Sequence, residues 1–107
     1  MSSIVANEPT PYDRLFRLSL DLFLDHHYES AYHSLAAAYH YAADVNDQAK
    51  LLQIEMEAAR QLNVIDLTTP NYKFSSLSTE QRHGVNIYKS LIKQVQVHLK
   101  LLKLIAK

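Results

Sequence analysis

Six histidines are the residues of this 107-residue chain best suited to metal or proton chemistry. His26, His33 and His40 recur every seven residues. Seven residues on a helix make two turns, about 10.5 Å, too far for two of them to ligate one ion. Glu29 with His33, and His40 with Asp44, have the four-residue spacing that a shared ion needs, but each pair supplies only two ligands. Glu80-Gln81-Arg82-His83 has the Glu-x-x-His spacing of carboxylate-bridged diiron bundles. That chemistry needs a second such motif and two further glutamates. The chain has no second Glu-x-x-His, and Glu80 stands where a first-turn acid serves helix capping. The histidines therefore read as a shared surface face or a polar seam between helices, and no metal or cofactor is expected. The chain has no cysteine, which excludes disulfides, thiolate metal sites and cysteine catalysis. Its single glycine, Gly84, excludes the Gly-rich phosphate loops. No Ser/His/Asp arrangement can be argued from spacing, so a non-enzymatic protein is expected.

Two other sets of side chains could bind rather than react. Tyr28, Tyr32, Tyr39 and Tyr41 crowd one segment. Tyr28, Tyr32 and Tyr39 with His33 and His40 outline a candidate groove for a peptide or a planar ligand, although at helical spacing such rings also serve as the margin of a core. Lys89, Lys93, Lys100 and Lys103, with Lys107 and no acid after Glu80, make the C-terminal segment basic and amphipathic. Such a segment can meet acidic membranes, nucleic acid or acidic partners. The formal net charge of zero and the lack of an arginine cluster favour lysines that flank an oligomer seam. Nucleic acid is not expected. Charge is nonetheless divided: residues 1–79 carry ten acids and five Lys/Arg, and residues 80–107 carry one acid and six Lys/Arg. A head-to-tail meeting of such halves, within or between chains, is electrostatically favourable.

The elements that must position these residues are helical. With 48% apolar residues, one glycine and three prolines, the chain can build a core but lacks the turn residues of an all-β fold. Its length fits one domain over residues 1–107. Residues 1–9 read as a flexible arm without the basic start and apolar run of a signal peptide. No apolar run approaches the 20 or so residues of a membrane span. The absence of cysteine fits a reducing cytoplasm. Thr10-Pro11-Tyr12-Asp13 predicts a helix over about 11–25, with Thr10 as cap, Pro11 at the first position and Asp13 at the positive end. Tyr12, Phe16, Ser19 and Phe23 mark its inner face. A second helix is expected over 28–43, with Ala31, Leu35, Ala38 and Ala42 on one face. A third, over 47–63 with Asn46 as cap, is expected to bury Leu52, Met56, Ala59 and Leu62. Residues 64–78 read as a loop that Pro70 keeps out of helix and that Tyr72 and Phe74 pin to the bundle. Ser78 and Gln81 read as a capping box that opens a last helix over 79–106.

That last helix would span roughly 42 Å, about twice the second. Val85, Tyr88, Ile92, Val95, Leu99, Leu102 and Ala106 alternate at three and four for three heptads. Ile87, Leu91, Leu101, Leu104 and Ile105 add apolar surface beyond that seam. One stripe can dock on the first three helices. The rest needs a second partner, most simply the same helix of another copy. The candidate interaction surface is therefore Val85, Tyr88, Leu91, Ile92, Val95, Leu99, Leu102 and Ile105.

Residues 15–56 resemble the tetratricopeptide repeat family. Leu15, Leu18, Ser19 and Leu22 match the spacing of its first helix, and Tyr28, Ala31, Leu35 and Ala38 that of its second. The repeat period of 34 residues places Ala49, Leu52 and Met56 as equivalents at the start of a second unit. The family's glycine near the first turn is absent, Leu15 stands at its tryptophan position, and the pattern fails after Met56. The resemblance implies peptide or protein binding without catalysis. The expected fold is all-α: a four-helix antiparallel bundle or tetratricopeptide-like hairpins, with a long C-terminal helix. The expected function is a self-associating protein–protein interaction module, a homodimer. The alternatives are a small-molecule or metal-binding bundle that uses His and Tyr, and membrane-surface binding by the basic C-terminal helix.

Overall fold

Thr10 and Asp13 close a reciprocal cap at the start of α1 (Pro11–Leu24). Thr10 Oγ1 accepts the Asp13 N–H at 3.2 Å, and Asp13 Oδ2 accepts the Thr10 N–H at 2.9 Å. The computed structural model describes residues 8–106. Residues 1–7 of the expected arm, and Lys107, lie outside the described residues. The chain is an all-α helical bundle. α2 (Tyr28–Asp44) and α3 (Gln48–Thr68) follow α1, and α4 (Ser76–Gln81) and α5 (Ile87–Ala106) complete it.

Among the described residues, five helices therefore stand where the sequence reading expects four. The third helix does not stop at residue 63. Leu62 and Ile65 keep its apolar periodicity, and it ends only at Thr68, ahead of Pro70. Its cap is Asp47, whose carboxylate accepts the Lys50 N–H at 3.1 Å, and not Asn46. The expected loop over 64–78 shrinks to 69–75. The expected cap at Ser78 moves to Ser75, whose Oγ accepts the Ser78 N–H at 2.9 Å.

The long C-terminal helix is the largest correction. It breaks at residues 82–86 into the short α4 and the 20-residue α5, which spans about 30 Å. Asn86 makes the break. Its Oδ1 accepts the N–H groups of Tyr88 and Lys89 at 3.0 and 3.1 Å, and its Nδ2 donates to Phe74 O at 2.9 Å and Thr79 Oγ1 at 3.2 Å. A buried side chain that supplies four hydrogen bonds outweighs a continuous apolar period.

Three helices end in the same way without glycine. His26, Asn46 and His83 take φ of 63°, 54° and 56° just past α1, α2 and α4. At each, the next residue donates its N–H five residues back: His27 to Leu22 O, Asp47 to Ala42 O and Gly84 to Thr79 O. This pairing satisfies carbonyls that the helix end leaves open.

Contacts between helices set the architecture. Tyr12 Oη donates to Gln53 Oε1 at 2.8 Å and Ser19 meets Gln61 at 3.0 Å, so α1 and α3 run in the same direction. Tyr88 pairs with Gln61 and Gln96 with Glu55, so α5 runs antiparallel to α3. Packing joins α1 to α2, α2 to α3, and α3 and α2 to α5; the α1–α5 side that would close a square bundle is not among the principal pairs. The result is two stacked antiparallel hairpins, α1/α2 and α3/α5. The extents are 53 × 37 × 16 Å, and the shortest matches two helix layers about 8–10 Å apart. The radius of gyration, 15.3 Å, exceeds the roughly 13 Å of a spherical domain of this length. Ala31, Leu35, Ala38, Ala42, Leu51, Ile54, Ala58 and Ile65 are fully buried between the layers. The expected inner face of α3 is thus one residue out of register. Leu62 is buried, whereas Leu52, Met56 and Ala59 are exposed, Met56 to 72%. Ala49, the third proposed equivalent of a second repeat unit, is exposed too.

Candidate interaction surface

The inner face of α5 is fixed by a polar network at the centre of the slab. Tyr88, fully buried, donates its hydroxyl to Gln61 Oε1 at 2.6 Å. Gln61 Nε2 donates to Ser19 Oγ at 3.0 Å and to Glu57 Oε2 at 2.8 Å, and Ser19 Oγ donates to Ala31 O at 2.7 Å. Arg60 closes on Glu57 through Nε at 2.8 Å and through Nη2. Side chains or carbonyls of α1, α2, α3 and α5 all take part. Burial pushes the Tyr88 hydroxyl far above the ordinary tyrosine range, so it remains a donor.

The seam proposed for a partner is accordingly divided. Tyr88, Leu91 and Val95 are buried in the chain's own core, because this stripe is the one that docks on α3 and α2. Ile92, Leu99 and Leu102 are half-buried against the same core. Val85 lies exposed before α5 begins, and Ile105, at 80%, lies exposed near its end. The free apolar stripe is a neighbouring one: Val97, Leu101, Leu104 and Ile105. All four stand outside the strict 3–4 seam, only Ile105 was among the candidate surface residues, and the i, i+4, i+7, i+8 spacing puts them on one face.

Continuing the α3–α5 register brings Leu102 level with the first residues of α3. Residues 103–106 therefore run past the end of α3, and among the described residues no helix covers Leu104 and Ile105. Farther back, Val97 and Leu101 form one side of a groove of about 400 Å³ between α2 and α5. Tyr39, Ser90, Lys93, Gln94 and His98 complete its lining. His98 Nε2 lies 2.9 Å from Asn46 Oδ1 and fastens α5 to the end of α2.

The five residues of the expected tyrosine–histidine groove do not converge. Tyr28 packs its ring 4.7 Å from Phe23 and 5.3 Å from Tyr72, and its hydroxyl meets His26 Nδ1 at 3.0 Å. Tyr32 lies edge-on to Tyr88 at 5.3 Å and to Phe74 at 6.2 Å. Rings from the 69–75 loop, Tyr72 and Phe74, thus pack against these two tyrosines. His33 is exposed and 4.0 Å from Glu29, whose other oxygen holds Lys73 at 2.8 Å. His40 is exposed beside Tyr39. Tyr39 alone reaches a groove, the one between α2 and α5. Glu80 ends up in α4 and His83 in the turn after it, both exposed. Among the described residues no three His, Asp or Glu gather as a metal ion would require.

Sequence reasoning missed a second groove. Between α1 and α3, Phe16, Gln53, Met56, Glu57 and Arg60 line a space of about 460 Å³. The signal for it was the second apolar stripe of α3, which the reading assigned to the core. Among the described residues, no helix is long and apolar enough to cross a membrane. Comparison of the chain with protein-family models, with curated proteins and with solved structures finds no match in any of the three.

Proposed function

We propose that this chain is a non-enzymatic protein-interaction module that self-associates through the outer face of α5. The observation that carries this reading is the unpartnered stripe Val97, Leu101, Leu104 and Ile105, whose last two members project past α3. Four large apolar side chains aligned on one helix face are rarely left in water. A second copy offers the same stripe in a self-complementary arrangement about a two-fold axis. Lys100 and Lys103 flank the tip and keep the free chain soluble. The resemblance of residues 15–56 to tetratricopeptide hairpins supports a binding role of the same kind.

Because the chain has no cysteine, one introduced thiol reports on one site. Ile105→Cys is expected to form a disulfide-linked dimer under mild oxidation at micromolar protein, while Asp25→Cys, at an exposed site on the first hairpin, stays monomeric. Equal crosslinking of the two variants would count against self-association through α5.

A further inference from the structure

We propose that the groove between α2 and α5 is the docking site for an acidic amphipathic helix of a different protein. This rests on the reading of α5 as a contact surface, but uses the groove rather than the projecting tip. Tyr39, Val97 and Leu101 give the groove its apolar lining. Ser90, Lys93, Gln94 and His98 are its polar lining, and no carboxylate is among them. The whole of α5 carries Lys89, Lys93, Lys100 and Lys103 and no acid. A helix with glutamates beside its apolar stripe complements both the apolar lining and Lys93.

The shape fits a helix. α2 and α5 run in the same direction on this face, as Tyr32 against Tyr88 and Asn46 against His98 show. From Ser90 to Leu101 the groove follows α5 for about three turns, roughly 17 Å. That length takes anchors at i, i+3 or i+4, and i+7 of an incoming helix, a common mode of helix-in-groove recognition. Lys93 is exposed and the Tyr39 ring is fixed by packing, so little has to move for the partner to dock.

Two synthetic peptides with the same leucine stripe test this, one with glutamates and one with lysines on the polar face. Fluorescence anisotropy is expected to show binding of the acidic peptide at micromolar concentration, weakened by salt. Lys93→Glu and Val97→Ser should each weaken it at least about tenfold, and the lysine peptide should bind at least about tenfold less well. Circular dichroism and thermal melting check that both variants fold. The same measurement on Leu104→Ser/Ile105→Ser separates this groove from the tip. That variant is expected to lose self-association and keep the acidic peptide, so either reading can fail alone. Equal binding of both peptides, no binding of either, or insensitivity to both groove substitutions would overturn the proposal. So would sedimentation with phosphatidylserine vesicles by a protein that ignores the acidic peptide.

Discussion

The Tyr88 hydroxyl lies 2.6 Å from Gln61 Oε1, both side chains are fully buried, and this one bond ties the interior of α5 to that of α3. Gln61 passes the connection to Ser19 of α1 and to Glu57. Tyr88→Phe keeps the ring and leaves Gln61 Oε1 without its donor, a loss expected to cost about 1–3 kcal/mol in urea denaturation. Gln61→Leu strands the Tyr88 hydroxyl in turn. The double variant should be less destabilised than the two single effects added together, because neither side then holds an orphaned group. Strict additivity would show that the bond contributes nothing of its own.

The register of α3 makes a second prediction. Ile54 is fully buried and Met56 largely exposed, although both lie on apolar stripes. Ile54→Ala is expected to cost about 2–5 kcal/mol, and Met56→Lys to stay within about 0.5 kcal/mol. Thermal melting of the two variants decides it. A reversed order would mean that the expected face, Leu52, Met56 and Ala59, is the inner one after all.

Glycine is misplaced by one residue at the end of α4. His83 holds φ at 56°, while Gly84 beside it does not have a positive φ. A Cβ on Gly84 would meet nothing closer than Thr79 O at 3.8 Å. His83→Gly is expected to stabilise the fold by about 1 kcal/mol, since a residue with a Cβ is strained in that region. Gly84→Ala should be neutral or slightly stabilising by reducing the freedom of the unfolded chain, by up to about 1 kcal/mol. A rise of a few degrees in Tm for His83→Gly, read by circular dichroism, is the expected result.

Alkaline titration reports on the buried hydroxyls. Burial raises the Tyr88 hydroxyl, and burial, with Asp13 and Asp47 nearby, raises that of Tyr12. In the unfolded chain both ionise in the ordinary tyrosine range, about pH 10. The folded value lies above the unfolded one, so the unfolded state releases its protons first. Stability is full below that range and falls as pH rises through it. Phenolate absorbance from these two residues should therefore appear together with the loss of helical circular dichroism. Ionisation of all seven tyrosines with helicity intact would contradict the buried network.

The first hairpin was legible because its signals agree. Thr10, Pro11 and Asp13 mark the start of α1, and Ala31, Leu35, Ala38 and Ala42 leave a single apolar face on α2. In α3 two stripes compete: Leu51, Ile54, Ala58, Leu62 and Ile65 against Leu52, Met56 and Ala59. The buried one borders Glu57 and Gln61, polar residues that apolar periodicity cannot score but that the network with Ser19 and Tyr88 requires. The long last helix failed for a local reason. Val85 and Ile87 continue the apolar pattern across Asn86, and only the capping bonds of Asn86 reveal the break. The exposed apolar surface was legible as a property of α5, but its face was not. The stripe with the better heptad pattern is the one the chain buries against itself, and the free stripe is its neighbour.

Sedimentation velocity over a concentration series tests the central claim most directly. The chain is expected to shift from monomer to dimer as concentration rises through the micromolar range. Leu104→Ser/Ile105→Ser, which alters only exposed side chains, should sediment as a monomer throughout with its Tm unchanged. A chain that remains monomeric at every concentration, or a double variant that dimerises as readily as the parent, would contradict self-association through α5.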